Sequence, residues 1–106
     1  MRCFCLEKVK VRGHIRVKKE RLLKSRLFSS SFSTSKKIIF ESGNRKVIIE
    51  VTPLGAQGWA ITVHEIEPNL LTNYENVVSD KELLILLLKK LIKTYETAGY
   101  ELKAVS

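Results

Sequence analysis

The stretch that decides the fold is SDKELLILLLKKLIKTYETAG, residues 79–99. Leu84, Leu87, Leu88, Leu91, Ile92, Tyr95 and Ala98 recur at helical spacing and share one face, with Glu82, Lys89, Lys93 and Glu96 opposite. Ser79-x-x-Glu82 has the pattern of a capping box, in which the serine side chain accepts the N3 amide and the glutamate reaches back to the cap amide. Asp80 places a negative charge at the positive end of the helix dipole, and Gly99 supplies a left-handed stop after Ala98. Burying four leucines and an isoleucine at roughly 2 kcal/mol each makes this helix the largest single contributor to stability. Leu83 and Leu86 lie on the flanks of the apolar face. They either widen the core or form a contact for a protein partner or a second copy.

Upstream of the helix the pattern changes to strands. Residues 37–41 and 45–52 are rich in β-branched side chains and are separated by Ser42-Gly43-Asn44, which reads as a hairpin. Pro53-Leu54-Gly55-Ala56-Gln57-Gly58 interrupts the chain again. Trp59, Ile61 and Val63 then alternate with Ala60, Thr62 and His64, predicting a third strand to about Ile66 whose first set faces the core. After Glu67-Pro68-Asn69, residues 70–78 have no clean period; a short fourth strand over 73–78 is the most they suggest. Residues 100–105 alternate once more as a closing strand. The order β-β-β-(β)-α-β predicts an α+β domain over 36–106, a small antiparallel sheet with one amphipathic helix packed on one face.

Residues 1–35 differ from the rest in charge. They hold ten Lys/Arg and two acids, a net of +8, whereas residues 36–106 hold nine of each. The whole net charge therefore belongs to a basic N-terminal extension. In it Val9, Val11, Ile15 and Val17 alternate with basic residues over 8–18, as in a strand. Leu22, Leu23 and Leu27 recur at helical spacing over 18–28, and a Ser/Thr-rich linker with little to bury follows. Three readings fit. One is a mitochondrial targeting peptide, trimmed near Arg26-Leu27-Phe28-Ser29-Ser30-Ser31 to release a chain starting at Lys36. Another is a nucleic-acid-binding arm over residues 8–26, meeting phosphates through Lys8, Lys10, Arg12, Arg16, Lys18, Lys19 and Arg21. The third is a solvated extension. The sequence does not fix a location; the cysteine usage suggests a reducing, intracellular one, with the expectation of the cytoplasm for a prokaryotic or phage protein and the mitochondrial matrix for a eukaryotic one.

Little else in the sequence carries chemistry. Cys3 and Cys5 form a C-x-C pair with no second pair to complete a tetrahedral zinc site. His64 is the only histidine after residue 35, and Glu65 and Glu67 point to the other side of its strand. Nothing in the spacing selects two of Glu50, Glu65, Glu67 and Glu75 as an acid–base pair. Gly55-Ala56-Gln57-Gly58 lacks the lysine and hydroxyl residue of a phosphate-binding loop. No apolar run reaches the ~20 residues of a membrane span. The expectation is a non-enzymatic protein without cofactor or metal.

Gly58-Trp59 opening the third strand and Glu65-Ile66-Glu67-Pro68 closing it resemble HicB-type antitoxins. The likeness covers residues 37–105 and implies a partial RNase-H-like fold that binds and blocks a small RNA-cleaving toxin. Asn69 stands where that family carries glycine, and no DNA-binding segment follows the last strand. The resemblance assigns no family. Two functions remain: a small interaction or regulatory module that binds a protein partner or itself, and a nucleic-acid-associated protein that uses its basic arm.

Overall fold

The computed structural model describes residues 19–106. A helix, α1 (19–28), leads into β1 (Lys36–Ser42), β2 (Arg45–Pro53), β3 (Trp59–Glu67), β4 (Leu70–Val78), α2 (Lys81–Thr97) and β5 (Glu101–Val105). The strands form one antiparallel sheet in the order β4-β3-β2-β1-β5. Three hairpin connections build four neighbouring strands in sequence order. α2 then carries the chain from one edge of the sheet to the other, where β5 closes on β1. The predicted α+β class, with a helix packed after the strands, is the observed one.

Period-two alternation sets which side chains go inward. Ile38 and Phe40 from β1, Val47, Ile49 and Val51 from β2, and Ile61 and Val63 from β3 are buried on this period. β5 departs from the alternation expected over 100–105: it buries Leu102 and Val105, three residues apart, where its register with β1 shifts. α2 lays Leu84, Leu88, Ile92 and Tyr95 across them. Leu87 and Leu91 are only half-buried and Ala98 is exposed, so the buried stripe is narrower than the seven residues expected. Leu83 and Leu86 are exposed, outside the core.

The helix start also differs from the expectation. Asp80, not Ser79, is the N-cap, and its carboxylate accepts the Glu82 amide at 3.0 Å. An aspartate side chain reaches the second helical amide as well as a serine does, and it adds charge complementarity. The chain therefore enters the helix one residue later than a capping box on Ser79 requires. The stop is as expected, with Gly99 at φ 95.

The segment read as a linker contributes to the core. Leu27 of α1 and Phe32 beyond it are fully buried. Trp59 Nε1 donates to the Phe32 carbonyl at 2.8 Å, tying the segment to the start of β3. Phe32 has φ 56, the one positive value outside glycine among the described residues. For a bulky side chain that conformation costs on the order of 1–3 kcal/mol, and ring burial and the Trp59 bond hold it in place. α1 lies antiparallel to α2: Lys24 Nζ meets Glu96 Oε2 at 2.6 Å, and Lys89 Nζ sits 5.5 Å from the Phe28 ring. The charge boundary after Ser35 is thus not a packing boundary. A chain beginning at Lys36 would lose two core side chains and leave the Trp59 indole N–H without its acceptor. The strand expected over residues 8–18 lies outside the described residues; the basic amphipathic helix expected over 18–28 is present as α1.

Gly58 is required by contact as well as by conformation. It has φ 102, and a Cβ there would collide with the Val78 carbonyl oxygen. The β2–β3 connection therefore passes directly against the end of β4.

Candidate functional site

The ionisable side chains divide between the two faces of the sheet. On the face away from the helices, His64 Nδ1 lies 2.6 Å from Asn73 Oδ1 and its Nε2 lies 3.6 Å from Glu50 Oε1. Beside them Thr62 Oγ1 donates to Glu75 Oε2 at 3.4 Å. On the helix face the Tyr95 hydroxyl donates to Glu65 Oε2 at 2.9 Å and lies 3.4 Å from the Tyr74 hydroxyl. Burial, reinforced by the hydrogen bonds with Tyr74 and Glu65, pushes the Tyr95 phenol well above the ordinary tyrosine range. Tyr74 is raised for the same first reason, with Glu65 adding to it. The alternation that separates His64 from Glu65 and Glu67 is as expected. Among the described residues no three His, Cys, Asp or Glu side chains converge as metal ligands.

The basic residues assigned to phosphate contact are only partly visible. Lys19 and Arg21 are exposed on α1. Lys8, Lys10, Arg12, Arg16 and Lys18 lie outside the described residues. Further along α1, Lys24 is paired with Glu96. No helix among the described residues is long and apolar enough to cross a membrane.

The feature that the sequence placed only in part is β4. It runs the full nine residues from Leu70, well before the short strand at 73–78. The β3 register is continuous along it, from Glu67 opposite Leu70 to Trp59 opposite Val78. A two-residue connection, Pro68-Asn69, was the signal that a regular hairpin begins at Leu70. As the outermost strand, β4 has neighbours on one side only among the described residues. Leu70, Leu71, Tyr74 and Val77 are 59%, 61%, 44% and 61% exposed, and only Val78 is buried.

The backbone groups on this edge follow from the sheet's hydrogen bonding. Lys37 and Ser106 exchange both N–H···O bonds, at 3.0 and 2.9 Å, so Lys37 directs its backbone toward β5. Hydrogen-bonding direction alternates along each strand and passes through the registers of β1–β2, β2–β3 and β3–β4. Even-numbered residues of β4 then bond to β3, while Leu71, Asn73, Glu75 and Val77 direct their backbone N–H and C=O groups outward.

The two sheet edges are not alike. β5 is five residues long, its pairing with β1 shifts register between Ile39 and Phe40, and it carries the Glu101–Lys103 ion pair at 3.2 Å. Short length, irregular register and lysine are common protections against edge pairing. β4 is long and regular, has no lysine, arginine or proline, and has one charged residue, Glu75.

No protein-family model, curated protein or solved structure matches this chain. The likeness to HicB-type antitoxins therefore carries no function here, and the reading rests on the geometry.

Proposed function

We propose that this protein is a non-enzymatic interaction module that binds a protein partner by strand addition to the open edge of β4. The observation that carries the reading is a nine-residue, regular edge strand with four outward-directed residues and exposed apolar side chains on both faces. Strand addition supplies affinity through main-chain hydrogen bonds and selectivity through alternate side chains. Leu83 and Leu86, exposed on α2, are a secondary contact in the same reading.

A photo-crosslinking amino acid at position 73 of the full chain, compared with one at position 103 on the β5 edge, tests the proposal in the source cells. Adducts are expected from position 73 and not from 103. Glu75→Pro should abolish them, because the Glu75 N–H points outward and its loss spares the bonds to β3. Equal adducts from both edges, or adducts that survive Glu75→Pro, would refute strand addition at β4.

A further inference from the structure

Building on the strand-edge reading, we infer that the partner of β4 is a second copy of β4. Two chains pair antiparallel about a two-fold axis at Tyr74, joining their five-stranded sheets into one.

The strand is self-complementary in chemistry. Leu70-Leu71-Thr72-Asn73-Tyr74-Glu75-Asn76-Val77-Val78 reads from either end as two apolar residues, two polar residues and the central tyrosine. Antiparallel pairing centred on Tyr74 sets Leu70 opposite Val78, Leu71 opposite Val77, Thr72 opposite Asn76 and Asn73 opposite Glu75. A two-fold axis repeats each pair, as an isologous interface requires. Every apolar residue thus meets an apolar one, and the lone charge of each chain meets an amide.

Hydrogen bonding selects the same register. The outward groups belong to Leu71, Asn73, Glu75 and Val77, so odd-numbered residues must pair with odd-numbered residues. Centring on Tyr74 satisfies this through Leu71–Val77 and Asn73–Glu75, with the two Tyr74 side chains meeting as a non-hydrogen-bonded pair. The neighbouring registers of the same parity are worse. Centring on Asn73 places Leu71 opposite Glu75. Centring on Glu75 sets two like charges directly opposite each other, which is repulsive. Polarity pattern, charge and backbone direction therefore converge on one pairing.

The test uses the full chain in a Cys3→Ser, Cys5→Ser background. Sedimentation across the micromolar to millimolar range should show a species of twice the 12.1 kDa chain mass. Asn73→Glu, which opposes Glu75 of the second copy, should weaken the dimer about tenfold, and adding Glu75→Lys should restore it. Tyr74→Cys should oxidise to an interchain disulfide, since non-hydrogen-bonded Cα atoms lie ~4.5 Å apart, within disulfide reach. Glu75→Cys should crosslink far less. A monomer at all concentrations, a dimer indifferent to Asn73→Glu, or equal crosslinking from both cysteines overturns self-pairing. A monomer whose Leu71, Asn73, Glu75 and Val77 amides resist exchange also overturns it, because the edge is then covered within a single chain. If position 73 crosslinks to a different protein while the purified chain stays monomeric, self-pairing fails and strand addition stands.

Discussion

Replacing Phe32 by alanine tests whether the segment before the sheet belongs to the folded unit. The ring is fully buried among core side chains, and the residue's carbonyl accepts the Trp59 indole N–H. Truncating a buried phenylalanine costs about 3–5 kcal/mol through lost transfer energy and the cavity left behind. A chain of this size has a total stability on the order of 5–15 kcal/mol, so the loss is a large share of it. With a urea m-value near ~1.5 kcal/mol/M, the midpoint should fall by roughly 2–3 M. Relief of the positive φ does not offset this, because alanine meets the same backbone penalty at φ 56. Trp59 is the sole tryptophan, so its fluorescence reports the contact directly and circular dichroism follows global unfolding. Phe32→Leu keeps most of the volume and should fall between the extremes. Leu22→Ala, at an exposed position on α1, should stay within about 0.5 kcal/mol of the parent. If Phe32→Ala unfolds at the same urea concentration as Leu22→Ala, the segment is not part of the core and the reasoning fails.

Two further perturbations separate local claims. Asp80→Ala should cost about 1 kcal/mol in urea denaturation, whereas Ser79→Ala should be near neutral; the reverse order would return the cap to Ser79. Tyr95 binds its phenolic proton more tightly in the folded chain than in the unfolded one. Stability should therefore hold below the ordinary tyrosine value of 10.0 and fall as pH rises above it. Tyr95→Phe should flatten that fall while costing about 1 kcal/mol at lower pH, where Glu65 loses a donor. A fall of unchanged steepness in Tyr95→Phe would show that another group carries it.

Local patterns were enough to read most of the elements. The alternation of Val47, Ile49 and Val51, and of Ile61 and Val63, marks both the strands and their buried face, because a half-buried strand must repeat every two residues. Leu84, Leu88, Ile92 and Tyr95 mark the helix for the corresponding reason. β4 was hard to read because an edge strand with little covering either face has no buried side to impose a period. Its apolar residues therefore fall on both faces, and only the two-residue hairpin and the paired register with β3 define it. Phe32 was hidden for the opposite reason. A lone aromatic in a serine-rich stretch has no neighbours with which to form a pattern.

The sequence by itself determined β1, β2, β3, β5 and the long helix to within a residue or so, and that the net charge lies before residue 36. Those properties depend on spacing, capping residues and composition, which act within a few residues of one another. The tertiary structure decided that Leu27 and Phe32 complete the core and that β4, not β5, is the long edge left open among the described residues. Both follow from contacts between residues far apart in the chain, which no local pattern encodes. The self-complementary pattern of β4 was present in the sequence from the start. It gained meaning only when the sheet order left that strand without an outer neighbour among the described residues.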